Sequence, residues 1–597
     1  MKTLRKVLRM LGRNDKALLP HAFIYSLVSG ITPLVNIYLP KLMLDELLGE
    51  QDVRLLIFYT ALLAALNLLF ALIRDYERYQ LEVHITMAYT YLVARTNDKA
   101  MSLSYQDGET KATQDLMEQA EFSTYFLYEI NMQLSGFGMV FTLLGGLSIL
   151  AVNDWRLLLL AILPSLLSLP CFRRVKELDV DNNRRSAPEH RAYIYFGRMA
   201  EDYRWAKDLK LYQGTSMMLQ RAKAVMDRIL RINHEYFTKH GFWTGLVRLL
   251  VEGQTAAIFL LLGLSLATGQ VTAGAFTLLY GACRQSGEAM TALISLYARL
   301  KTADLQFEPL IKLLELPQEE SADSGHMPPD VQEALDKARK GQVDIEAKDI
   351  SFRYPTGDRD VLHNLSMRIA PGETLALVGR NGAGKSTLVS LLCRLYPPTS
   401  GVITLNGVDV RRIPLSAYRG VLAPIFQDYR LLPLKISESL LGKRQQDISP
   451  QDEERLTRAL GEVGMEGFVL SGNEGIHTYL QKVMDEKGLV PSGGQDQKLA
   501  LARAVCRQGT FIILDEPAAA LDPRSEEEIF SRMLSLTRGQ TSLFISHRLS
   551  STRFADRILV LDAGQAAQSG THQELMAQEG LYQRMYATQA EAYRREA

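Results

Sequence analysis

The first half of the chain contains apolar stretches too long for the interior of a soluble domain. Ala22 to Pro40, Leu55 to Ile73, Ile130 to Asn153, Leu157 to Phe172 and Gly253 to Cys283 carry no charged residue. A helix crosses a bilayer in about 20 residues. The last stretch exceeds one crossing, and Thr268-Gly269-Gln270 is a turn signal that divides it. The pattern predicts six crossings. Composition alone hides this: 47% of all 597 residues are hydrophobic, an ordinary value, because the second half is polar. Lys+Arg and Asp+Glu are 67 each, so no global charge points to nucleic acid. Cys171, Cys283, Cys393 and Cys506 lack metal or disulfide-scaffold spacing and read as buried thiols.

Residues 1–19 predict an amphipathic helix lying on the membrane surface, with Lys2, Arg5, Lys6, Arg9 and Arg13 interleaved with Leu4, Val7, Leu8 and Leu11. Residues 20–316 form the predicted membrane domain. The connections Lys41–Arg54, Asp154–Arg156 and Gly269–Thr272 are short. Asp75–Glu129 and Arg173–His240 are long, polar and helix-patterned. Basic residues crowd the N-terminus and the start of the second long connection. The charge bias therefore puts the N-terminus, both long connections and the C-terminal half in the cytoplasm. A chain that starts on this helix also argues against an additional leader-cleaving domain.

Residues 317–341, acidic and turn-rich at the start, read as a linker. From 342 to 597 strand and helix patterns alternate, which predicts an α/β domain. Within it, the apolar run Thr374–Gly379 leads into Gly379-Arg380-Asn381-Gly382-Ala383-Gly384-Lys385-Ser386-Thr387. This is a GxxxxGK[ST] phosphate loop between a strand and a helix expected to run to about Tyr396, before Pro397. Its backbone N–H groups wrap phosphate oxygens, Lys385 reaches the β- and γ-phosphates, and Ser386 supplies a hydroxyl to Mg²⁺. Phe511–Leu514 reads as a strand delivering Asp515 and Glu516. The first carboxylate is placed to hold Mg²⁺ and the second to activate water. A strand over Thr541–Ile545 delivers His547 near the γ-phosphate.

On these residues the chain resembles an exporter-type ATP-binding cassette transporter: an all-α six-helix membrane domain fused to one α/β P-loop cassette. The resemblance covers nearly the whole chain. It implies roles for Ser492-Gly493-Gly494-Gln495 as the signature segment and Gln427 as the Q-loop residue, a further Mg²⁺ ligand. It likewise implies Tyr354 as the adenine-stacking aromatic, Asp522 in the D-loop and His547 as the switch histidine. The implied mechanism closes two cassettes over two ATP molecules, each held between one chain's phosphate loop and the other's signature. One cassette per chain implies a half-transporter that dimerises, with Asp107–Leu116 and Asp202–Gln213 as coupling helices. The implied catalytic set is Glu516, His547 and Gln427, and ATP and Mg²⁺ are the implied ligands.

Four positions depart from the family pattern: Pro491 for the leading leucine, Asp496 for a basic residue, Val483–Gly488 before the signature, and Ala519 in the D-loop. In heterodimeric relatives the subunit keeping the catalytic glutamate often carries the altered signature. The combination of Glu516 and Pro491 therefore favours a heterodimer over a homodimer. Arg248 and Glu252, and Arg284 and Glu288, have i,i+4 spacing in the fifth and sixth predicted helices. Arg284, Glu288 and Glu252 are candidates for a cargo-binding patch, against internal salt bridging. The expected function is ATP-driven export of a peptide, drug-like or amphipathic solute across the cell membrane. The alternative is an ATP-gated or regulatory membrane protein that does not transport; the carboxylate Glu516 and His547 argue for turnover. A soluble cassette acting on DNA or RNA conflicts with the apolar stretches.

Overall fold

The computed structural model describes residues 2–153, 155–319, 327–515, 539–546 and 549–596. It divides into two compact units, one of Met1–Met101 with Asp115–Leu316 and one of Ser102–Gln114 with Pro317–Ala597.

The chain begins with α1 (Lys2–Asn14), α2 (Leu18–Leu48), α3 (Val53–Met101), α4 (Tyr105–Glu109), α5 (Lys111–Leu134) and α6 (Gly138–Asn153). It continues with α7 (Trp155–Leu167), α8 (Leu169–Glu201), α9 (Tyr203–Leu211), α10 (Thr215–Ala267), α11 (Ala273–Gln306) and α12 (Glu308–Glu315). All but α4 belong to the first unit, apart from the start of α5. Among the described residues four segments are long and apolar enough to cross a bilayer: α2, α3, Arg156–Glu201 and α10. Helix α6 is apolar but shorter. Helix α11 carries Arg284 and Glu288 where the sixth crossing is expected.

Small residues let these helices touch through their backbones, the packing mode that apolar surroundings favour. A Cβ on Gly30 of α2 would lie 2.1 Å from the Gly138 carbonyl oxygen of α6. The Thr142 hydroxyl donates to the Gly30 carbonyl at 2.8 Å. At the base of α2 and α3, His21 pairs with Glu77 and His84 with Asp15, each at 2.6 Å. The two imidazoles stack with centroids 5.2 Å apart, tying the segment after α1 to both helices.

Several expectations change. Helix α1 buries Leu4, Val7 and Leu11 and packs beside α11 and α12, while Leu8 stays exposed. Helix α2 runs through Pro33 and Pro40 to Leu48, beyond the expected end at Pro40, leaving a short connection to α3. The long polar connections are largely extensions of the apolar helices, since α3 and α10 continue unbroken for 49 and 53 residues. Of the two segments expected as coupling helices, Asp107–Leu116 spans the end of α4 and the start of α5, with extended Thr110 between them, and Asp202–Gln213 contains the shorter α9. The region 317–341 is not all linker: Pro329–Arg339 is a helix whose Val331, Ala334, Leu335 and Ala338 are buried in the core of the second unit. Pro329 sits at its first turn, where proline favours a helix rather than breaking it.

The strands of the second unit are β1 (Ile345–Phe352), β2 (Leu362–Ile369), β3 (Thr374–Gly379), β4 (Ser400–Leu405) and β5 (Val408–Asp409). There follow β6 (Leu422–Ile425), β7 (Phe511–Asp515), β8 (Thr541–Ile545), β9 (Arg557–Asp562) and β10 (Gln565–Gly570). One antiparallel sheet has the order β2-β1-β4-β5, and a second has the order β10-β9-β3-β8-β7-β6. In the second sheet β9, β3, β8, β7 and β6 are mutually parallel. The core fills the space between the sheets and the phosphate-loop helix, with Leu375, Leu377, Leu388, Phe511 and Leu543 fully buried.

Candidate functional site

Parallel pairing collects the sequence motifs. Leu377 of β3 and Asp515 of β7 both register with Ile545 of β8, and Leu514 registers with Ile425 of β6. The C-terminal ends of β3, β7, β8 and β6 therefore lie along one sheet edge, where open α/β sheets bind ligands. That edge carries the phosphate loop after Gly379, the buried Asp515, and the exposed Gln427 just past β6. Glu516, Asp522 and His547 lie outside the described residues, as does Ala519.

The loop geometry explains its glycines. Gly384 has φ 99°, and a Cβ there would lie 2.6 Å from Leu362 Cδ2. A Cβ on Gly379 would come within 2.4 Å of the Leu561 carbonyl oxygen. Arg380, Asn381, Gly382 and Ala383 form the turn between them, with the Ala383 N–H donating to the Arg380 carbonyl at 3.1 Å. The buried Lys385 folds back over this loop, its Nζ donating to the carbonyls of Gly379 at 3.0 Å and Arg380 at 3.2 Å. Ser386 is exposed and Thr387 buried in the helix Lys385–Leu392. This helix stops short of the expected Tyr396, because Arg394 takes φ 52° and turns the chain before Pro397.

Tyr354 follows β1, and its hydroxyl is 2.9 Å from the Thr387 hydroxyl. Its ring meets Phe352 and Tyr396 edge-on at 4.9 and 5.3 Å. Tyr396 in turn packs edge-on against Tyr105 of α4 at 5.5 Å and donates its hydroxyl proton to Glu109. Burial, then the Glu109 carboxylate, hold the Tyr396 hydroxyl above the ordinary tyrosine range. Thus α4, displaced into this unit from the helical half of the sequence, reaches the phosphate-loop helix through two tyrosines. The sequence reading marked Asp107–Leu116 as a coupling segment but did not identify its tyrosine partners.

Ser492 caps the helix Gly493–Cys506 in a reciprocal capping box: its N–H donates to Gln495 Oε1 at 2.9 Å, and its hydroxyl accepts from the Gln495 N–H at 3.4 Å. Pro491 lies just outside that cap, where its missing N–H costs the helix nothing. The altered signature therefore keeps its local geometry. Burial raises the Asp496 carboxyl above its usual range, and it faces Tyr429, two residues past Gln427. The Tyr429 hydroxyl sits 3.5 Å from the Gly493 carbonyl. Gly494 continues the helix beside Gly493.

In the helical unit Arg284 and Glu288 are exposed on α11 and pair at 3.0 Å. Glu252 is exposed on α10. The first pair takes the self-neutralising form that its spacing predicted. Among the described residues no ion pair or hydrogen bond joins Glu252 to it.

Among the described residues no cluster of three or more His, Cys, Asp or Glu side chains is arranged as a metal site. The oxygen donors at the sheet edge, Ser386, Asp515 and Gln427, are of the hard kind that Mg²⁺ prefers when phosphate and water complete its shell.

Residues 362–519 match the family model described as ABC transporter. The ATP-dependent lipid A-core flippase of Chromobacterium violaceum is 32% identical over 450 residues, covering 75% of this chain and 73% of that protein. The subtilin transport ATP-binding protein SpaT of Bacillus subtilis is 26% identical over 593 residues, covering 98% and 94%. The structure of a bacterial Atm1-family ABC exporter with ATP bound aligns over 96% of this chain and 98% of its own, with a TM-score of 0.81 at 22% identity. The helical domain, the P-loop sheet edge and these matches agree: the chain belongs to the ABC transporters, as an exporter-type half-transporter whose cassette is an ATPase coupled to transport.

Proposed function

We propose that this chain is one half of a dimeric exporter that crosses the cytoplasmic membrane six times and moves an amphipathic, peptide or drug-like solute outward by alternating access. The observation that carries the reading is the alignment of the phosphate loop, Asp515 and Gln427 along one edge of the parallel sheet of a chain that also bears long apolar helices. Both the N-terminus and the cassette are cytoplasmic in this reading, as the basic residues flanking the apolar stretches require.

In the ATP site Lys385 leaves the two loop carbonyls for the phosphates, and the loop N–H groups bind the same oxygens. Mg²⁺, held by Ser386, Asp515 and Gln427, would offset charge developing on the transferred phosphoryl group. Glu516 orients and deprotonates the attacking water, and His547 contacts the γ-phosphate. Tyr354 stacks on adenine. Replacing it with Ala should raise the KM for ATP about tenfold while leaving kcat within about threefold, since base stacking on an aromatic ring contributes ~1–3 kcal/mol. Steady-state ATPase kinetics measure this.

Ser492, Gly493, Gly494 and Gln495 complete the site of the second subunit. ATP binding favours the closed, outward-facing state, and hydrolysis releases it. The link from Tyr354 through Tyr396 to α4 supports a route by which occupancy of the site reaches the helical domain. The partner we favour is a different half-transporter, because one chain combines the altered signature residue Pro491 with the carboxylate Glu516. Expression of the chain alone tests this. The heterodimer predicts a folded, detergent-extracted protein with little ATP hydrolysis until a second subunit is supplied. A stable, active homodimer would identify two identical chains instead.

A further inference from the structure

The chain around His547 is held from the far C-terminal end of the cassette. His547 itself lies outside the described residues, whereas Ser546, which follows β8, and Leu549 are described and buried. Leu549 packs in one apolar cluster with Phe544, Leu575, Leu581 and Tyr582. A buried backbone N–H needs a partner. The Leu549 N–H donates to Oε1 of Gln589 at 2.9 Å. Gln589 belongs to the C-terminal helix Leu581–Glu596, which carries none of the ATP-site motifs. The Leu549 carbonyl accepts from the Thr552 hydroxyl at 2.7 Å and from the Thr552 N–H at 3.2 Å. The Ser551 hydroxyl donates to the Ser546 hydroxyl at 2.8 Å. The chain is therefore fixed one residue before His547 and two residues after it.

Counting protons gives this network a direction. A hydroxyl has one proton, and a carbonyl can only accept, so the Thr552 proton goes to the Leu549 carbonyl. The Tyr582 hydroxyl, 2.7 Å from Thr552, then donates to Thr552. With its own proton spent, Tyr582 accepts from Nδ1 of His572 at 2.8 Å. His572 opens the preceding helix, His572–Ala577. Both polar groups of the Leu549 backbone are thus governed by the last two helices, the N–H through Gln589 and the carbonyl through Thr552 and Tyr582. We infer that Gln589 is a positioning residue for His547, holding the chain beside the histidine through the Leu549 N–H. The inference rests on the reading of His547 as the γ-phosphate contact and deepens it. It makes the C-terminal helix part of the hydrolysis machinery, since displacing a reacting group by about 1 Å costs up to about a hundredfold in rate.

The test is a double-mutant cycle on Mg²⁺-ATP hydrolysis by the transporter reconstituted in lipid with its partner subunit. Its members are wild type, Gln589→Met, His547→Ala and the double variant. Methionine keeps the length of glutamine and removes the acceptor. Gln589→Met should lower kcat about tenfold and leave the KM for ATP within about twofold, as expected when a reacting group is misplaced and binding is not. In the His547→Ala background the same change should have an effect of less than about twofold, because its route to the chemistry is gone. Gln589→Glu, whose carboxylate accepts the same N–H, should stay within about threefold of wild type. A helix that only props up the domain predicts otherwise: the methionine change would lower kcat by the same factor with or without His547, and glutamate would not restore it. That result, or a kcat for Gln589→Met within about twofold of wild type, would overturn the inference. Failure of the underlying reading shows in a different variant, as His547→Ala hydrolysing ATP at the wild-type rate, and would take the positioning role with it.

Discussion

Replacing Lys385 with Ala should lower ATP hydrolysis by at least about a hundredfold, the usual loss when one preorganised donor is removed from developing charge. The effect should fall on both nucleotide affinity and turnover, because Lys385 is the buried cation of the phosphate loop. Its Nζ already lies over the loop, bonded to the carbonyls of Gly379 and Arg380. Its removal takes two hydrogen bonds from the loop as well as the ammonium from the phosphates. Nucleotide titration and steady-state hydrolysis of the reconstituted protein separate the two losses. Hydrolysis within threefold of wild type would mean that the phosphates lie elsewhere.

A second large effect is expected at Gly493, for a different reason. Around this residue nothing lies within 4 Å of where a Cβ would stand. The chain itself therefore leaves room for a side chain there. Only the approach of a second subunit's nucleotide makes a side chain costly. Gly493→Asp should leave the melting temperature of the extracted chain within about a degree. It should still lower hydrolysis by the assembled transporter by about a hundredfold or more, since its carboxylate would face the γ-phosphate at short range. If instead hydrolysis survived, the signature would not complete the partner's site. A large drop in melting temperature would place the fault within the chain.

The phosphate loop was legible because its information is local: a strand, a run of glycines and a lysine within a dozen residues dictate one backbone path. The signature cap was equally local, and its geometry explains why Pro491 can stand before Ser492. The resemblance marked Asp107–Leu116 as a coupling segment, but the residues that α4 meets were not legible. Tyr396 and Glu109 are 287 positions apart, and no periodicity marks such a pairing. The same holds for His21 with Glu77, where two separate apolar helices bring together residues that read as isolated charges. The helix Pro329–Arg339 was missed for the opposite reason, because the acidic, turn-rich residues ahead of it led the whole of 317–341 to read as a linker. The burial of α1 by α11 and α12 also needed tertiary structure: an amphipathic stripe shows that one face is covered, without showing by what.

The central claim is that transport is driven by ATP hydrolysis at the sheet edge with Glu516 as the base. Its most direct test is hydrolysis by the transporter extracted with its partner subunit and reconstituted in lipid, wild type beside Glu516→Gln. The account predicts Mg²⁺-dependent hydrolysis that falls by at least about a hundredfold in the variant, a loss of the size general-base removal brings, while ATP remains bound. Undiminished hydrolysis by Glu516→Gln would contradict it.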